Sequence, residues 1–187
     1  LYSTEDMVNW TYLGTPVTTA TFEWAFQGDR AWASQAVERD GKWYWYVCLT
    51  EEATNADALA VAVADDPQGP YRDAIGGPLA TGWSFIDPTV FIDNDGSAYL
   101  FWGNKGLWYG ELASDMISFE NGYQEVPGFH DPACFGPESM KMNWAKGKEE
   151  MMVGYEEGPW VSRRGDIYYM TYPAGGVPEY MAYSTAP

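Results

Sequence analysis

The chain has 187 residues, 46% of them hydrophobic, which is enough for one sizeable core and too apolar for a disordered segment. Its 27 acidic residues against 10 basic ones give a net charge of −17, a surface that repels phosphate backbones and anionic lipid and so argues against nucleic acid or a membrane as partner. No apolar run approaches the ~20 residues that span a bilayer, the single histidine, His130, cannot build a multi-histidine zinc site, and Cys48 and Cys134 match no metal spacing, which leaves a disulfide between them open.

The first segment, "STEDMVNW" (3–10), reads as the connection after an outer strand. "WASQAVERDGKWYWYV" (32–47) then shows an apolar strand, a polar turn at Gly41 and a strongly aromatic second strand, the pattern of an antiparallel hairpin. "LAVAVADDPQGPY" (59–71) has alanine-rich helix propensity, but its alternating Leu59, Val61 and Val63 favour a third strand. The hairpin recurs as "DPTVFIDNDGSAYLFW" (87–102), turning at Gly96, and as "EGPWVSRRGDIYYMTY" (157–172), turning at Gly165. "ASDMISF" (113–119) echoes the first connection, and "YMAYSTAP" (180–187) echoes the third strand. The stretch 120–150, irregular and rich in Gly, Pro and Lys, reads as a surface insertion.

A unit of hairpin, third strand and connection, repeated with no credible long helix, predicts an all-β chain built as a β-propeller. In such a meander the head of the first strand and the end of the second lie on one side of the sheet. Trp32, Asp87 and Glu157 therefore gather near one face, with the loops "LTEEATN" (49–55), "GNKG" (103–106) and "PAGG" (173–176). Asp87 alone could be a turn carboxylate, Glu157 a solvated strand end and Trp32 a core ring. Their matching places in successive units favour a groove in which two carboxyls and an aromatic platform converge, a constellation suited to glycoside hydrolysis because one carboxyl must be protonated and another ionised. Trp32 and Asn104 are the candidate substrate contacts. Asp93 and Asp95, in the "DNDG" turn, lack the remaining ligands of a calcium loop and read as hairpin chemistry at the opposite end of the blade.

The stretches "IDPTVFIDNDGSAYLFWG", "YEEGPWVSRRGDIYYMTYP", "WASQAVERDGKWYWYV" and "AVADDPQGPY", with "YSTEDMVNWTYLG" ahead of them, resemble in order the landmarks of glycoside hydrolase family 43 across essentially the whole chain. The resemblance implies a five-bladed propeller, of which residues 1–187 would make about three to four blades of a catalytic domain cut at both ends. It also implies inverting hydrolysis of arabinose- or xylose-containing plant polysaccharides, without metal or cofactor, with Glu157 as general acid and Asp87 orienting that acid and keeping its pKa high. Trp32 matches the family's Trp-Ala-Pro segment, although Ser34 stands where proline is usual. The general base is expected ahead of Leu1 and falls on no residue here; Asp6 belongs to a different segment. The implied partner is a carbohydrate, and the expected location is secreted or periplasmic. A propeller that binds sugar without cleaving it is the alternative, to be separated by a reducing-sugar assay.

Overall fold

A computed structural model of the chain describes residues 1–28, 30–129, 131 and 155–173, together with the backbone of 181–186. Within them the only helical turn is a 3-10 turn at Thr19–Thr21, and everything else regular is strand. A short hairpin, β1 (Tyr2–Ser3) and β2 (Thr11–Tyr12), leads into a sheet of β3 (Ala31–Arg39), β4 (Lys42–Thr50), β5 (Asp57–Ala64) and β6 (Arg72–Asp73), with β7 (Ala80–Gly82) also on β5. The next sheet runs in chain order through β8 (Thr89–Ile92), β9 (Ala98–Trp102), β10 (Trp108–Leu112) and β11 (Gln124–Glu125). The last holds β12 (Trp160–Arg164), β13 (Ile167–Pro173) and β14 (Met181–Ala186). All pairings are antiparallel.

The three hairpins expected from the repeat are β3–β4, β8–β9 and β12–β13. Their turn residues Gly41, Gly96 and Gly165 all have positive φ, and in the two-residue loop of β3–β4 Asp40 joins Gly41 in the left-handed region, the type I′ geometry that follows strand twist. The two third-strand segments both form the expected strand, β5 and β14. The echoed connections share a local device: Asp6 accepts the backbone N–H of Val8 and Asn9, Asp115 accepts those of Ile117 and Ser118, and the following residue, Met7 or Met116, is left-handed in each. The presumed insertion begins differently from expectation, because residues 124–125 form the outer strand β11 on β10. Its remainder from 132 to 150 lies outside the described residues, as do His130, Cys134 and positions 174–176 of the third loop.

Strand β5 shows why an alanine-rich run is not a helix here. Leu59, Val61 and Val63 face one buried cluster with Tyr46, Cys48, Leu100 and Trp102, while Ala60, Ala62 and Ala64 face another with Phe22, Val47, Leu49 and Tyr71. Both faces are covered, so side chains alternate by size rather than by polarity.

The first strand of each sheet packs against its counterpart in the next, with β8 between β3 and β12. Side chains fasten that junction. Gln35 on β3 accepts the Val90 N–H (2.5 Å) and the Thr89 hydroxyl (3.1 Å). Asp93, at the far end of β8, takes the Tyr168 hydroxyl (2.5 Å) and the Arg163 guanidinium from the β12–β13 hairpin, and Arg163 lies over the Tyr168 ring. Asp93 thus does more than shape its own turn; it ties two sheets together.

The Tyr168 hydroxyl, followed by the Asn94 N–H and the Arg163 guanidinium, holds the Asp93 carboxyl below its ordinary pKa despite some opposing burial. A carboxyl depressed in the folded state adds stability above its unfolded pKa of about 3.9 and loses it as pH falls through the folded value. Asp93→Asn should therefore lower the urea midpoint at pH 7, with the gap to the parent protein closing as the pH falls below about 4; a gap that stays constant with pH would show that the ion pair contributes nothing through its charge.

Candidate active site

The approach to β8 is a short crossing from β7 whose backbone is pinned at nearly every step. Asp57, which opens β5, accepts the Ser84 N–H at 3.0 Å. The Ser84 carbonyl accepts the Asn104 N–H at 3.0 Å, and the Ile86 carbonyl accepts the Gly103 N–H at 2.8 Å. Ser84 and Asp87 are both left-handed, with φ of 62° and 57°. Asp tolerates that region better than most residues, although a residue before proline ordinarily takes the extended region. An acid ahead of Pro88 therefore suits the turn into the strand, and the turn leaves its carboxyl half-buried at the strand head.

Glu157 is delivered by a second segment, 155–158, that runs against the loop 103–106. Three bonds set the register. The Tyr155 hydroxyl donates to the Gly103 carbonyl (2.6 Å), the Lys105 N–H donates to the Glu156 carbonyl (2.6 Å), and the Asn104 side-chain Nδ2 donates to Glu157 Oε2 (2.7 Å). On the other side the Glu156 N–H donates to the Pro173 carbonyl at 3.1 Å, at the end of β13. Gly103 permits the arrangement: its φ is 124°, and a Cβ there would stand 2.0 Å from the Gly106 carbonyl oxygen.

The two acids are joined through the backbone. The N–H of Gly158, the residue after Glu157, donates to Asp87 Oδ2 at 3.1 Å. Burial first, and then the Glu157 charge, push the Asp87 carboxyl above its usual pKa, with the Gly158 N–H pulling the other way. The same negative field reaches groups behind the site. Burial and then the Asp87 and Glu157 charges push the Tyr155 hydroxyl up, and burial and then the Asp57 and Asp87 charges push up the thiol of buried Cys48.

Of the four residues singled out from sequence, Asp87, Glu157 and Asn104 form one hydrogen-bonded group. Asn104, expected as a substrate contact, places its amide on Glu157. Trp32 stands apart: no hydrogen bond or ring contact among the described residues links it to the acids. It lies at the same end of the blades, where Thr50 pairs with Asp57 and Asp57 holds Ser84, and it is 47% exposed. It falls within a bulge between Ala31 and Ser34. A bulge re-aims the side chains it carries. Sequence reasoning missed Asp57, Ser84 and Tyr155, whose roles depend on partners 27 to 52 residues away.

The model of glycosyl hydrolases family 43 matches residues 1–186, and the chain belongs to that family. It is similar to the beta-D-galactofuranosidase xynD of Aspergillus niger, 27% identical over 94% of this chain and 48% of the relative. It is also similar to xylosidase/arabinosidase 43A of Humicola insolens, 34% identical over 67% of this chain and 37% of the relative. A GH43_1 enzyme from Xanthomonas citri, crystallised with xylose, superposes with a TM-score of 0.73 at 25% identity, over 95% of this chain and 57% of that one. The chain thus spans about half the length, or less, of these curated relatives, and its fold is that of the family's propeller enzymes.

A carboxyl raised in the folded state costs no stability below its unfolded pKa, and the cost develops as pH rises through the folded value. Asp87→Asn should accordingly raise the melting temperature at pH 7, and the gain should vanish below about pH 4. Thermal melts across pH would test this; a variant less stable at neutral pH would contradict it.

Proposed function

We propose that the chain carries the acid side of an inverting glycosidase that cleaves arabinose- or xylose-containing plant polysaccharides or oligosaccharides. The observation that carries this reading is the juxtaposition of Glu157 and Asp87 at the heads of neighbouring blades, joined through Gly158 and each half-buried at one end of the sheets. Family membership and the pentose-directed names of relatives support it.

In the reaction, Glu157 gives its proton to the glycosidic oxygen as the bond from that oxygen to the anomeric carbon breaks, the bonding pair remaining on the leaving oxygen. A water molecule bonds to the anomeric carbon from the opposite face and releases a proton to a base that is none of the residues assigned here. Asp87, through the Gly158 N–H, fixes where residue 157 stands. Trp32 offers an exposed ring at the same end of the blades for a sugar face.

Glu157→Gln in the full-length protein should cut hydrolysis of a disaccharide or polymer by about 10²- to 10⁴-fold, the range for lost general-acid catalysis, while an activated aryl glycoside, whose leaving group needs no proton, retains far more. Steady-state rates on both substrates check this. Equal losses would remove Glu157 from the acid role, and absence of released reducing sugar in the parent protein would favour binding without cleavage.

A further inference from the structure

Glu157 offers two carboxyl oxygens, and the surrounding chain treats them differently. Oε2 accepts the Asn104 amide at 2.7 Å. An amide N–H can only donate, so an oxygen that accepts it cannot at the same time present its own proton along that direction. Asn104 is itself tightly held: its backbone N–H is bound to Ser84, the Gly103 carbonyl before it receives the Tyr155 hydroxyl, and the Lys105 N–H after it is bound to Glu156. Lys105 is left-handed at φ 57°, a conformation that costs backbone energy in a non-glycine residue and that this web of bonds maintains.

We propose that Asn104 is a positioning residue: by holding Oε2 of Glu157 it directs the transferable proton to Oε1. The proposal rests on the acid reading above and adds to it which oxygen delivers the proton and what holds it there. The tyrosine, the glycine and the two backbone bonds keep the amide in place, and the amide keeps the carboxyl in one rotamer. A carboxyl free to swing would present its proton in the correct line for only part of the time, and misplacement on the scale of 1 Å can cost about 10²-fold in rate.

The test uses the full-length protein and the variants Asn104→Ala, Asn104→Asp and Glu157→Gln, each assayed on a pentose disaccharide and on a 2,4-dinitrophenyl glycoside, with thermal melts alongside. The expected result for Asn104→Ala and for the isosteric Asn104→Asp, which when ionised has no donor, is a kcat about 10- to 100-fold lower on the disaccharide, a much smaller loss on the aryl glycoside, and little change in KM. A raised KM with equal losses on both substrates would make Asn104 a sugar contact and overturn the proposal. Equal losses that track a fall in melting temperature would make it merely structural, and unchanged rates would show that it does nothing for the acid; either result overturns the proposal. Glu157→Gln separates the two layers. If that variant discriminates between leaving groups and the Asn104 variants do not, only the positioning role fails; if it does not discriminate, the acid reading fails and the positioning role falls with it.

Discussion

The site depends on one loop, residues 103–105, hydrogen-bonding in two directions at once. Its backbone N–H groups reach back to Ser84 and Ile86, on the approach to one inner strand, while its carbonyl, side-chain amide and last N–H reach forward to Tyr155, Glu157 and Glu156, on the approach to the next. Neither approach segment is long enough to define its own conformation, and each contains a residue in a region of backbone space that side chains rarely occupy. The shared loop supplies the partners that hold both. Two carboxyls that repel each other are thus kept in proximity by one neutral backbone donor, the Gly158 N–H, and one side-chain amide, that of Asn104.

That arrangement explains an apparent conflict in the composition. A chain with net charge −17 gains nothing from placing two more acids side by side, and the half-buried Asp87 carboxyl has its ionisation opposed by burial and by Glu157. Elsewhere the molecule uses acids cheaply. Asp6 and Asp115 accept backbone N–H groups in exposed turns and Asp93 meets Arg163, and all three carboxyls are held below the usual range. Sites that do chemistry are where natural proteins tolerate such penalties, and in this respect Asp87 stands apart from the other three acids, in line with the role proposed for it.

Much of the architecture was legible because it follows from local pattern. The three turn glycines, the alternating apolar runs and the echoed Asp-Met connections each carry their own stereochemical reason and repeat in register, so the sheets and the end at which Asp87 and Glu157 lie could be read directly. What was not legible depends on pairing across long separations. Tyr155 looks like any aromatic residue until its hydroxyl meets Gly103, and Asp57 looks like a loop acid until Ser84 is beside it. Asn104 was singled out for its place in a loop, but its partner, 53 residues ahead, carries no local mark in the chain. Strand β11 carries no sign in the sequence because two residues are too few to show a period, and nothing near Asp93 in the chain announces Arg163 and Tyr168 on the adjoining blade.

The way β8 is fastened has a further implication. Among the described residues no strand ladder crosses from one sheet to the next; the seam between inner strands is closed by the Gln35 amide, which meets Val90 as a peptide group would, and by the Asp93 contacts at the other end. Each sheet therefore behaves as a cassette whose fit to its neighbour is written in a handful of side chains and in the loop contact between Lys105 and Glu156. A cassette could be exchanged or duplicated with its own hairpin geometry intact, provided those few seam positions travel with it, and radial architectures could in this way grow or shrink by whole units.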